Sequence, residues 1–255
     1  DVEGADGGPV TQAQMLTKIK QVYQARTQPE SVSNFKSNLK SIIKKEKNSF
    51  DYLTNTLGFD CSTATASGSV AYKRAIDTVS NPDEIDINML AIPGIIHGLH
   101  GAVSNHAINA VEKRADAFLV LDTAQWGDNV SNAIDNVATI DSNYCATYYP
   151  WVKIDTESGT GVWVPPSVVI PGVIAFTDSV AHEWFAPAGL NRGGLGSVRI
   201  AKKKLTHTDR DRLYEARINP IATFPNQGVV VFGQKTLQAK PSALDRINVR
   251  RLHLV

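Results

Sequence analysis

Apolar residues at 35, 39, 42/43, 50, 53 and 57 fall on one stripe at helical spacing. They predict a long helix that Ser31 caps and Gly58 ends. Its other face carries Lys36, Lys40, Lys44, Lys45 and Lys47, a pattern that reads as a solvated face. A shorter helix is predicted over residues 11–26, with Thr11 as N-cap and Gln14 as its capping-box partner, before Pro29 interrupts. The first nine residues, with Gly4, Gly7, Gly8 and Pro9, carry turn signals only. Residues 61–69 are small and polar and read as a loop. A short helix follows over 70–79, and Asn81-Pro82-Asp83 makes a turn.

Beyond residue 83 short apolar runs alternate with helical stretches. The spacing predicts a strand over 87–92 closed by Pro93-Gly94, then a helix over 103–114 capped by Ser104 or Asn105. A buried strand over 117–121 ends at Asp122, a helix covers 129–140, and a third strand covers 144–149 before Pro150 and Trp151. Continuous apolar strands separated by helices argue for a mainly parallel sheet covered on both faces. Residues 165–172, with three prolines, read as a loop, and 173–184 as a helix. Pro187 and glycines 189, 193, 194 and 196 deny the next stretch any regular structure. Thr206 or Thr208 caps a basic helix to about Arg217, and residues 229–232 form a buried strand that Gly233 ends. The expected fold class is α/β: a mainly parallel mixed sheet flanked by helices, with a helical portion over 1–82 and a loop-rich C-terminal part.

Composition changes this picture little. A chain of 255 residues buries roughly 70–75% of its unfolded surface and needs no disulfide staple. Two cysteines, Cys61 and Cys145, stand far apart without a Cys-x-x-Cys, as in a reduced compartment. No apolar run reaches membrane-span length, and the opening Asp1-Val-Glu-Gly is no signal peptide. A start on Asp1 suggests a processed chain or a fragment. The net charge of +1 hides an asymmetry. From Ser197 onward twelve Lys/Arg stand against four Asp/Glu, or +8, whereas residues 1–196 carry fourteen against twenty-one, or −7. That is either chance or self-complementarity between copies.

No enzyme constellation emerges. Asp122, just past a strand, sits where a catalytic carboxylate or metal ligand could sit, although capping the following loop is the favoured role. His97, His100 and His106 are close in sequence, and the first two are one helical turn apart, but no carboxylate or cysteine stands nearby. His182-Glu183 opens like a zinc-protease helix and lacks the second histidine. The glycines at 189–196 have neither dinucleotide nor phosphate-loop spacing, and no Gly-x-Ser-x-Gly elbow is present. Trp126, Trp151, Trp163 and Trp184 read as core or interface aromatics. The basic C-terminal part lacks an aromatic-interleaved pattern for nucleic acid.

Two stretches organise the chain: Glu183-Trp-Phe-Ala-Pro-Ala-Gly-Leu-Asn-Arg-Gly193, and Val229-Val-Val-Phe-Gly-Gln-Lys-Thr-Leu237 resuming at Asp245-Arg-Ile-Asn-Val-Arg-Arg-Leu252. Together they resemble the tail sheath proteins of contractile-tailed bacteriophages. That family's core has a Trp-x-Ala-Pro-Ala-Gly loop, an Ile-Asn segment, a Gly-Gln-x-Thr-Leu strand and an Asn-Val-Arg-Arg-Leu exit. Gly4-Ala-Asp-Gly, Asn88-Met-Leu-Ala-Ile-Pro-Gly94 and Arg114-Ala-Asp-Ala-Phe-Leu-Val-Leu-Asp122 are similar to further family segments in the same order. The chain departs at Ala175-Phe-Thr-Asp178, where many sheaths read Ala-Arg-Asp, and at Phe232, where Trp is expected.

The resemblance implies a structural subunit without cofactor or catalytic site, whose partners are other sheath subunits, the tail tube and the baseplate, with no nucleic acid or membrane. It implies a place in the virion after assembly in the bacterial host cytoplasm; the runner-up is the sheath of a related injector such as a type VI secretion system or a tailocin. On this reading the chain is a sheath core, with its N-terminal helical portion over 1–82 and its α/β part over 83–255 ending at the Asn-Val-Arg-Arg-Leu exit, lacking the N-terminal arm and the tube-facing C-terminal domain, and is monomeric by itself. Arg199, Lys202, Lys203, Lys204, Arg250 and Arg251 are the candidates for the basic side of an inter-subunit contact.

Overall fold

The computed structural model describes residues 59–155 and 161–254, with the backbone of Asn55–Thr56. The helices expected over 11–26 and 31–57, and the lysine face, lie outside them except for the last turn. There Asn55–Thr56 (β1) pairs antiparallel with Phe59–Asp60 (β2), where the pattern predicted the end of a helix. Helix α1 is Ser67–Thr78, starting three residues earlier than the pattern suggested.

A five-stranded sheet follows, built from β3 (Met89–Ile96), β4 (Phe118–Asp122), β5 (Cys145–Tyr149), β9 (Ile218–Phe224) and β10 (Gly228–Val231). Its order is β10-β9-β5-β4-β3, parallel throughout except for β10, which runs antiparallel to β9. Helices α2 (Gly101–Arg114) and α3 (Val130–Val137) connect its first three strands. A second, antiparallel sheet of order β7-β6-β8 is formed by β6 (Val152–Asp155), β7 (Gly161–Val164) and β8 (Val198–Ala201). The remaining helices are α4 (Ile170–Val180), α5 (His207–Glu215) and α6 (Ile247–Leu252).

The pleat of β4 explains the layering. Leu119 and Leu121 face a core shared with α2, α3 and Leu213 of α5, whereas Phe118 and Val120 face Ile170 and Ile174 of α4, Val152 and Val198 of the small sheet, and Ile247 of α6. A central parallel strand buried on both faces reads as one apolar run, which is why the sequence reveals it.

Several boundaries differ from expectation for identifiable reasons. Strand β3 does not stop at Pro93-Gly94 but continues to Ile96, with its pairing to β4 shifted after Ala91. An edge strand tolerates the missing N–H of proline, and Gly94 supplies a positive φ of 89° for the irregularity. Helix α2 starts at Gly101, before Ser104 and Asn105. The Ser104 hydroxyl lies 2.9 Å from Nδ1 of His97. Helix α4 begins inside the expected proline loop, because Pro171 fits its first turn, and it ends at Val180 rather than Trp184.

Helix α5 starts as the pattern predicts. The Thr206 hydroxyl accepts from the Asp209 N–H at 3.1 Å, and the Asp209 carboxylate accepts from the Thr206 N–H at 3.3 Å. Thr206→Ala is expected to cost about 1 kcal/mol, seen as a lower urea midpoint with unchanged slope.

Candidate functional site

The glycine-rich stretch after Trp184 is fixed against the sheet rather than free. Gly189 N–H donates to the Val231 carbonyl at 2.8 Å, Val231 N–H to Gly193 at 2.7 Å, and Leu195 N–H to Val229 at 2.9 Å. It therefore straps the outer edge of β10 and occupies donors and acceptors that would otherwise template another strand. Gly193 is required by this closeness: a Cβ there would lie 2.5 Å from the Val231 carbonyl oxygen and 2.8 Å from the Gly189 backbone.

Where β10 ends, the second signature stretch is tied back to β9. Asn219, fully buried, donates through Nδ2 to the carbonyls of Thr147 (3.1 Å) and Lys235 (2.8 Å), and its Oδ1 accepts from the Lys235 N–H at 2.6 Å. Gly233 lies so close that a Cβ there would meet Asn219 Oδ1 and Pro220 Cδ at 2.9 Å.

The two stretches meet around a groove of about 340 Å³. The first contributes Ala186, Ala188 and Gly189, the second Phe232, Gly233 and Gln234, and α5 contributes His207, Arg210, Asp211 and Tyr214. The guanidinium of Arg210 stacks over Phe224 and Phe232, 5.1 and 5.6 Å from their ring centroids. Asp211 is taken up by His207, Nδ1 to Oδ2 at 2.8 Å. On the far side of Tyr214, Lys235 sits 4.6 Å from the ring centroid, and Arg246 donates to the phenol oxygen. Sequence reading placed a basic helix here but did not single out Arg210 or Tyr214. Their i, i+4 spacing was the available signal.

The six basic candidates separate into two groups. Arg199 on β8 is exposed, 3.7 Å from Asp155, and Lys203 is exposed, 3.7 Å from Asp209, with Lys204 exposed beside it. Lys202 lies over Trp126, Nζ 3.9 Å from the ring centroid, and burial lowers its pKa. Trp126 in turn packs against Trp151 and Trp163, so three of the four tryptophans form one cluster. Arg250 and Arg251 point inward instead. Arg250 lies 3.6 Å from the Tyr144 ring centroid, and Arg251 pairs with Asp178 at 2.5 Å. Both are buried, so the chain's own core takes up the charges that a surface contact would need.

Asp122 and the three clustered histidines are each engaged structurally. Asp122 is buried; its Oδ2 accepts from the Ser167 hydroxyl at 2.5 Å and its Oδ1 from the Ser167 N–H at 3.2 Å. This buckles the end of β4 to the turn that leads into α4. His100 Nδ1 accepts from the Ile96 N–H, and His106 pairs with Asp77 at 2.6 Å. Among the described residues no group of three or more His, Cys, Asp or Glu is placed to hold a metal ion, and no helix is long and apolar enough to cross a membrane.

Burial outweighs the Ser167 and Gly94 hydrogen bonds and pushes the Asp122 carboxyl up to about 7. An acid with a raised folded-state pKa gives stability that is full below its unfolded value near 3.8 and is lost as pH rises through about 7. Chemical unfolding at a series of pH values should show this decline, and Asp122→Asn should flatten it.

The sequence of residues 65–237, well over half the chain, matches the family described as the phage tail sheath protein central domain. The chain is 42% identical over 125 residues to the tail sheath protein of Vibrio phage KVP40, covering 49% of this chain and 18% of that protein. It is 39% identical over 127 residues to the tail sheath protein of Enterobacteria phage T4, covering 50% and 18%. Among solved structures, a chain of the anti-feeding prophage baseplate superposes with a TM-score of 0.58 at 28% identity, covering 74% of this chain and 48% of that one. A chain of the contracted anti-feeding prophage helical sheath superposes with a TM-score of 0.53 at 28% identity, covering 74% and 49%. The matched stretch thus spans about a fifth of the curated relatives' length and about half of the structural ones. With the signature stretches, the mixed sheet and these matches in agreement, the chain belongs to the phage tail sheath protein central-domain family.

Proposed function

We propose that this chain is the core of a contractile phage tail sheath subunit. Copies stack as rings around a rigid tube, and a baseplate signal triggers shortening that drives the tube through the host envelope to deliver the genome. The observation that carries this is the family match across 65–237, supported by 42% identity to a phage sheath protein. The particle is assembled in the host cytoplasm and the subunit resides in the virion. An N-terminal arm and a tube-facing C-terminal domain belong to the longer protein, outside this core.

The role is mechanical rather than enzymatic. A bias of about 5.5 kcal/mol per subunit moves a two-state lattice almost completely from one form to the other, without hydrolysis. Different inter-subunit contacts in the two lattices supply it while the core moves as a rigid body. Arg199, Lys203 and Lys204, with Lys202 beside them on its tryptophan, form the basic side of such a contact. Negative-stain electron microscopy of the longer protein should show long striated tubes. Dispersed particles in every salt condition, with tube protein supplied as template, would overturn the proposal. Charge reversal at the basic positions should shorten or abolish the tubes.

A further inference from the structure

Arg210 is held flat on two phenylalanine rings, and no carboxylate lies within ion-pair distance of it among the described residues. A guanidinium stacked in this way keeps its N–H edge free for two parallel hydrogen bonds to a carboxylate.

A matching feature stands at the opposite edge of the same sheet. Residues 83–86 lead into β3, and their carboxylates, Asp83, Glu84 and Asp86, are exposed with no ion-pair partner among the described residues. The turn is held in place. Asn81 accepts from the Asp83 N–H at 3.2 Å, and buried Arg114 donates to the carbonyls of Val79 (2.7 Å) and Ile85 (2.6 Å). Docking such a turn costs little ordering entropy. Because β3 and β10 are the two edges of the sheet, groove and turn cannot satisfy each other within one core. Between copies they give a head-to-tail contact that repeats, the kind that closes into a ring or continues as a helix.

We propose that the groove at the end of β10 receives the acidic 83–86 turn of a second copy, with Arg210 binding a carboxylate of that turn. This rests on the sheath reading and names one of its lattice contacts. Exposed charge pairs are weak and screened by salt, so the isolated chain is a monomer when dilute and associates when concentrated at low salt.

Sedimentation equilibrium tests this with two neutralising variants, Arg210→Ala and the triple Asp83→Asn, Glu84→Gln, Asp86→Asn. Wild-type chain at its highest soluble concentration should grow beyond dimers. Each variant alone should remain monomeric, and their equal mixture should stop at dimers, because one intact groove then faces one intact turn. Arg210→Lys, which keeps the charge and the fold, should associate weakly. Wild-type chain that stays monomeric, or variants that associate like wild type, would overturn the proposal. In the longer protein, tubes that persist in Arg210→Ala would refute the groove contact and leave the sheath reading standing, whereas absence of tubes from the wild type would refute the sheath reading itself.

Discussion

Asn219→Ala is expected to lower the free energy of unfolding by about 3–5 kcal/mol, since it strands several buried backbone groups at once. The side chain bonds the Thr147 carbonyl on β5 and both the N–H and carbonyl of Lys235 just past β10. Removing it leaves those groups facing a cavity beside Gly233. Asn219→Asp should be no better than alanine despite its shape, because both Nδ2 partners are carbonyl oxygens and a buried carboxylate would face them. Urea unfolding monitored by tryptophan fluorescence reads the midpoint. If both variants lie within about 1 kcal/mol of wild type, the tie between β9 and the signature stretch has been misassigned.

Gly193→Ala should cost about 2–4 kcal/mol, the sum of a steric clash and weakened strap bonds. The added methyl would press on backbone atoms at 2.5–2.8 Å, none of which can rotate away. Gly194→Ala is the matched control, because its Cβ would meet nothing within 4 Å. Hydrogen exchange at the Val231 amide, which donates to Gly193, should accelerate sharply in the first variant and stay slow in the second. With the strap displaced, β10 becomes an open edge, and the first variant should also aggregate sooner on heating.

These two positions mark the limit of what the sequence reveals. Strand β4 and the α5 cap are legible because each is encoded locally, by an apolar run and by a capping box four residues long. Strand β9 is not, because Asn219 and Pro220 interrupt its apolar run with the residues that normally end strands. Their reason for being there, the tie to residue 235, is visible only in three dimensions. Strands β6, β7 and β8 are four residues long, too short for a period to stand out, and Lys153, Asp155 and Arg199 interrupt the apolar residues of β6 and β8.

The candidate site was half legible. Family resemblance drew attention to the 183–193 and 229–237 stretches, and they do converge on one groove. It could not show that the basic helix between them forms the third wall, nor that the glycines hold a strap in place. Charge counting found the basic C-terminal part but not the direction of its side chains. Arg250 and Arg251 pack against Tyr144 and Asp178 inside the chain, whereas Arg210 is the one stacked in the groove.

Helical reconstruction of the assembled sheath, in its extended and contracted forms, tests most directly whether this core works as a rigid body that changes only its neighbours. The five-stranded sheet, its strap and the Asn219 tie should superpose unchanged between the two forms. The groove should meet the acidic turn of an adjacent copy in at least one of them. A core that refolds on contraction, or a groove that faces solvent in both lattices, would contradict it.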